Sequence, residues 1–101
     1  MNFDTYRNSF KQLSRRLKNP KMVLKDRVII EEQVVHLNIT YINEATKTNE
    51  LDKPEINALR DATCNLIDNI ITIYTRLNRP LQVYLFTKLR KEISTPIRII
   101  K

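Results

Sequence analysis

No glycine occurs among the 101 residues of this chain, while apolar residues recur at helical spacing in four successive segments. Glycine normally supplies left-handed stops, tight turns and close backbone approaches. A chain without it is pushed toward long helices whose stops are made by residues such as Asn, which tolerates the left-handed region. The first stripe is Phe3, Tyr6, Phe10, Leu13 and Leu17, at steps of three and four that align on one helix face. It predicts a helix over 3–18. Asn19-Pro20 ends it, because the residue before proline avoids the helical region, and the same pair is suited to opening the next helix.

The second segment, 21–46, carries two apolar rows: Leu24, Val28, Val35, Ile39 and Ile42 in one, and Ile30, Val34, Leu37, Tyr41 and Ala45 in the other. A helix apolar over so wide an arc belongs between two neighbours. Its wet stripe is Lys25, Glu32, His36, Thr40, Asn43 and Lys47. The run Val28-Ile29-Ile30 has strand propensity, but there is no period-two alternation around it. After a polar connector at 47–50, Asp52-Lys53-Pro54-Glu55 forms a capping-box-like start to a third helix over 54–77. Ile56, Leu59, Thr63, Leu66, Ile70, Ile73 and Leu77 line one face of it, and Asn57, Asp61, Asn65, Asp68 and Thr72 the other. Asn78-Arg79-Pro80 breaks it. The fourth helix, 80–93, sets Leu81, Leu85, Leu89 and Ile93 in a row expected to face the core, with Tyr84 and Phe86 beside it. Ser94-Thr95-Pro96 closes this helix, and the isoleucine-rich tail through 94–101 is expected to lie on the bundle or serve a partner. Short connectors between long helices favour antiparallel neighbours, so the expected fold is all-α, one domain, an antiparallel up-down four-helix bundle with a short C-terminal tail.

The chemistry that this composition lacks is as informative. Phosphate-cradling glycine loops are excluded, since there is no glycine to build one. One cysteine and one histidine do not make a usual zinc site. His36 reads as a surface histidine one turn from Glu32, and Cys64, near Arg60, as a packing residue at the edge of a stripe. Glu31 and Glu32 point in different directions around their helix and so do not flank one bond as an acid/base pair. Tyr41, Tyr74, Tyr84 and Phe86 read as core. The Asn38-Ile39-Thr40 glycosylation triplet falls inside a helical pattern and reads as chance. No catalytic residue, metal ligand or cofactor is expected. No apolar run approaches the roughly 20 residues that span a bilayer, no signal peptide is visible at the start of the chain, and a lone cysteine suits a reducing compartment. The expected location is therefore cytoplasmic.

Charge is sorted along the chain. Residues 1–27 carry eight Lys/Arg against two acids, a net of +6; residues 28–75 carry three against eight, a net of −5; residues 76–101 carry seven against one, a net of +6. Together these make the formal +7. Basic segments are drawn to anionic headgroups at about 1 kcal/mol per Lys/Arg near the surface. If the first and last helices lie side by side, both basic blocks face a bilayer together. The alternative is a small basic helical DNA-binding regulator of mobile-element type, for which a sequence pI near 9.8 supplies the electrostatic footprint. For that alternative, the acidic middle of the chain is unfavourable. As readers the fourth helix offers it Gln82, Lys88, Arg90 and Lys91, a weak match to a recognition helix. A third possibility is a structural subunit of a larger helical assembly, docked through the apolar tail.

The order of elements resembles a known family. A short helix closed by Leu17-Lys18-Asn19-Pro20 is followed by a long second helix, a polar hinge at 47–53 and a third helix ending Ile73-Tyr74-Thr75-Arg76-Leu77-Asn78-Arg79-Pro80. A shorter helix with Leu81, Tyr84, Leu85, Leu89 and Ile93 comes next, and then the tail. Over nearly its whole length this layout is similar to the small immunity proteins that protect producers of pediocin-like (class IIa) bacteriocins, the enterocin A immunity type. The isoleucine-rich ending and the absence of glycine depart from that pattern. The resemblance implies a four-helix bundle without catalytic activity that acts from inside the cell. Its implied partners are the membrane receptor, the mannose phosphotransferase permease, with bacteriocin bound, and peripherally the anionic inner membrane surface. Specificity is implied to lie in the C-terminal half. On this chain that half supplies Arg76, Arg79, Lys88, Arg90, Lys91, Arg98, Ile99 and Lys101 as the expected partner-binding residues.

Overall fold

Local chemistry sets most of the helix boundaries. In a computed structural model that describes residues 2–48 and 53–94, helix α1 (Phe3–Leu17) opens on Asn2, whose Oδ1 accepts the Thr5 backbone N–H at 2.8 Å. Helix α2 (Leu24–Thr48) starts later than the expected residue 21. The reason is Asn19: its Oδ1 accepts the Lys21 N–H at 3.0 Å and its carbonyl accepts the Met22 N–H at 3.3 Å, so residues 19–22 form a turn of their own. The helix then nucleates on the Val23 carbonyl, which accepts from the N–H groups of Asp26 and Arg27. Helices α3 (Lys53–Arg76) and α4 (Pro80–Ser94) fall within a residue of expectation. The proposed Asp52 cap and the tail beyond Ser94 lie outside the described residues.

The stop of α3 shows how a chain without glycine makes a left-handed turn. Asn78 takes φ 57, the Arg79 N–H returns to the Tyr74 carbonyl at 3.0 Å, and the Asn78 N–H bonds the Thr75 carbonyl at 3.1 Å. This is a Schellman stop with asparagine in the position usually held by glycine. Pro80 then opens α4, where its missing N–H costs nothing.

Cross-helix bonds establish the directions. Tyr6, early in α1, meets Asn38, late in α2, while Arg27 near the start of α2 donates to the Leu17 carbonyl at the end of α1. Asn38 meets Thr63, and Glu31 meets Asn69, so α2 and α3 are antiparallel. Tyr74 stacks on Phe86 and Asp68 binds Arg90, so α3 and α4 are antiparallel as well. The protein is an all-α, up-down array of four helices, with no strand among the described residues.

Each helix packs on its neighbours in sequence, and α1 and α4 do not meet. The two rows of α2 explain this. Leu37, Tyr41 and Ala45 receive α1, with Tyr6 stacked on Tyr41 at 4.5 Å between centroids. Val28, Val35 and Ile39 join Ile67, Ile70 and Ile73 of α3 in the main core, on which Phe86, Leu89 and Ile93 of α4 close. The outer helices thus occupy different sides of α2, and the body is flattened, 44 × 28 × 17 Å. The expectation that the first and last helices could lie side by side is corrected.

The central pair is knotted by polar groups as well as apolar ones. The Tyr6 hydroxyl donates to Asn38 Oδ1 (2.7 Å), Asn38 Nδ2 donates to Thr63 Oγ1 (3.1 Å), and the Thr63 hydroxyl donates to the Leu59 carbonyl (2.7 Å). Asn38 is only 3% exposed, which closes its triplet to glycosylation in the folded protein. Glu31 is buried too, and accepts from Arg27 Nε at 3.0 Å and Asn69 Nδ2 at 2.8 Å. Among the described residues no buried side-chain polar atom lacks a partner.

Candidate functional site

Helix α4 is amphipathic, yet it buries no residue. Its inner face is Phe86, Leu89 and Ile93, half-buried against the core, with the Phe86 ring 6.0 Å from that of Tyr74. The row expected to face the core does so only at its C-terminal end. Leu81 is 63% exposed, Leu85 51% and Tyr84 62%. Leu81 lies one turn before the adjacent pair Tyr84 and Leu85, so the three form a continuous apolar ridge directed at solvent. Leu85 and Lys88 share the rim of a shallow hollow with His36 of α2. Tyr84, read from the sequence as core, is a surface residue, whereas Tyr41 is buried and Tyr74 half-buried.

The basic residues singled out from the sequence separate into groups. Arg76 and Arg79 are exposed where α3 turns into α4, and Lys88 and Lys91 are exposed along α4. Arg90 is engaged: its Nε and an Nη reach the two Asp68 oxygens at 2.5 and 3.2 Å, a bidentate clamp that pins α4 to α3. The hydrogen bond to Asp68, and then its charge, hold the guanidinium above its ordinary pKa. Arg90 therefore positions the helix, and its charge is already matched. Arg98, Ile99 and Lys101 lie outside the described residues.

Elsewhere the titratable groups serve the fold. Burial pushes the Cys64 thiol up, so it stays protonated and unreactive at neutral pH. The Tyr74 hydroxyl, which donates to Glu32, is pushed up to about 12 by burial and by that bond. Burial, and then the neighbouring Tyr41, raises Tyr6. Glu32, placed on the wet stripe by sequence, is thus tied to α3, and Glu31 is sealed inside. His36 is exposed. Among the described residues no cluster of three His, Cys, Asp or Glu is arranged to hold a metal ion, and no helix is long and apolar enough to cross a membrane.

Sequence reasoning missed Asn38 and the orientation of α4. The first was discoverable, because Asn38 sits among Val34, Val35, Tyr41 and Ile42 at helical spacing from each. The second carried no signal, since a periodic row states which residues share a face and not what covers it. A scan against protein-family models, a search of curated proteins and a search of solved structures find no match to this chain. The class defined by fold and surface is a small helical bundle with a polar-knotted central pair and an outward apolar ridge on its last helix.

Proposed function

We propose that this chain is a bacteriocin immunity protein: a binding module without catalytic turnover that protects its cell against a pore-forming pediocin-like peptide. In this reading it works in the cytoplasm at the inner membrane face, on the mannose phosphotransferase permease with bacteriocin bound. The observation that supports it most is the ridge Leu81, Tyr84 and Leu85 on α4, with Lys88 beside Leu85. A short helix clamped at its back and apolar at its front suits recognition of a protein partner. It lies in the C-terminal half, where the resemblance puts specificity. The DNA-binding alternative loses ground on the same surface. Arg90 is held by Asp68 and Gln82 is half-buried, so base-reading groups are scarce on a face led by leucine and tyrosine.

The test is a killing assay. Expressed in the cytosol of a Gram-positive strain sensitive to pediocin-like peptides, the chain is expected to confer marked resistance to one or two members of a panel. Unchanged sensitivity across a broad panel contradicts the reading, and a salt-dependent gel shift then becomes the next experiment.

A further inference from the structure

The antiparallel order brings two turns to the same end of the protein. Val28 of α2 and Ile73 of α3 share one core cluster, and Glu32 bonds Tyr74, so the start of α2 lies level with the end of α3. Arg27 ties the end of α1 to that same level through the Leu17 carbonyl. The α1–α2 turn at 18–23 and the α3–α4 turn at 77–79 therefore open onto one end, although α1 and α4 do not touch.

This end draws cations from both basic blocks. It carries the exposed cations Arg15, Arg16, Lys18, Lys21 and Lys25 from one turn and Arg76 and Arg79 from the other, against one exposed acid among the described residues there, Asp26. It also carries aliphatic side chains in solvent: Val23 is 58% exposed, with Leu24 and Ile29 beside it. Arg15, Arg16, Lys21 and Asp26 line an open hollow together with Met22, Val23 and Ile29. The turn is firmly built, since the Asn19 bonds fix residues 19–22 and Arg27 bridges the Leu17 carbonyl and Glu31. It presents its apolar tip without having to refold.

We propose that this two-turn end is a contact surface for an anionic phospholipid bilayer, with Val23 and Leu24 entering the headgroup boundary and the surrounding Lys and Arg side chains engaging lipid phosphates. Charge complementarity identifies the partner: the cations are drawn to an anionic surface, and an aliphatic tip gains from burial in lipid. Duplex DNA matches the cations but takes up an aliphatic tip only at a thymine methyl or by unstacking a base step, which costs energy that a lipid headgroup boundary does not ask for. The contact deepens the peripheral placement in the immunity reading and rests on that reading for its setting.

The chain has no tryptophan, so Val23→Trp creates a unique reporter at an exposed site. Mixed with phosphatidylglycerol/phosphatidylcholine vesicles at low salt, this variant is expected to show a blue-shifted emission, with no shift on pure phosphatidylcholine vesicles or on duplex DNA. By co-sedimentation, Lys21→Glu/Lys25→Glu is expected to lower the partition onto the anionic vesicles by about thirtyfold or more. Lys11→Glu/Lys47→Glu, an equal change of net charge away from this end, is expected to lower it far less. Equal losses for the two pairs, no emission shift on bound vesicles, or binding to DNA alone would each overturn the proposal. The killing assay separates the two claims. Protection without vesicle binding removes the lipid contact and keeps the immunity reading, and vesicle binding without protection does the reverse.

Discussion

The α2–α3 pair and helix α4 are both amphipathic, both rich in branched aliphatic residues and in contact with each other, yet they are built for different ends. In the pair, Val35, Ile67 and Ile70 are sealed from solvent, and the polar groups among them are matched across helices, as in the Tyr6–Asn38–Thr63 chain and the Arg27–Glu31–Asn69 group. In α4 no residue is buried, one face rests on the core through Phe86, Leu89 and Ile93, and the other holds Leu81, Tyr84 and Leu85 in water. Stability is concentrated in the pair, and surface in α4. A helix held by one aromatic stack, a half-buried face and the Asp68–Arg90 clamp is free to vary its outer side without disturbing the core.

Substitutions that probe each region sharpen this contrast. The largest effect is expected from Ile70→Ala, which opens a void in the fully buried cluster and should cost about 2–5 kcal/mol, read from the midpoint of urea unfolding. A shift no larger than that of a surface substitution would contradict the picture of a tight central pair. A smaller effect is expected from Tyr74, the half-buried hydroxyl bonded to Glu32. Its pKa is raised from 10.0 to about 12 in the folded protein. A raised folded value means that the neutral phenol is favoured by folding, so its stabilisation is complete below pH 10 and is lost as the pH climbs through 12. The unfolding midpoint of the parent should therefore fall more between pH 9 and about 12 than that of Tyr74→Phe, and parallel curves would remove the coupling. The smallest effect on stability is expected from Leu81→Ser/Leu85→Ser, within about 0.5 kcal/mol per site, because both side chains are already largely in solvent.

These regions were not equally legible in the sequence. The two rows of α2 implied a helix between two neighbours, and the structure supplies them: α1 packs on Leu37, Tyr41 and Ala45, where Leu59 of α3 joins it, and α3 with α4 on Val28, Val35 and Ile39. The absence of glycine implied an asparagine stop, and Asn78 makes it. Other features depend on partners distant in sequence. The start of α2 moved to Leu24 because Asn19 captured the Lys21 and Met22 amides for a turn. Arg90 was expected on the partner-binding surface, and Asp68, 22 positions earlier, claims it. The leucine row of α4 has the same period as a core row, and only the arrangement of the other helices decides that Leu81 and Leu85 stay uncovered.

The ridge carries the central claim, that α4 presents a recognition surface which the fold does not need. The most direct test puts Leu81→Ser/Leu85→Ser into the killing assay beside the parent chain, with expression and unfolding midpoint matched. Loss of protection at unchanged stability is the predicted result. Full protection by the variant would contradict the claim and move recognition away from this face of α4.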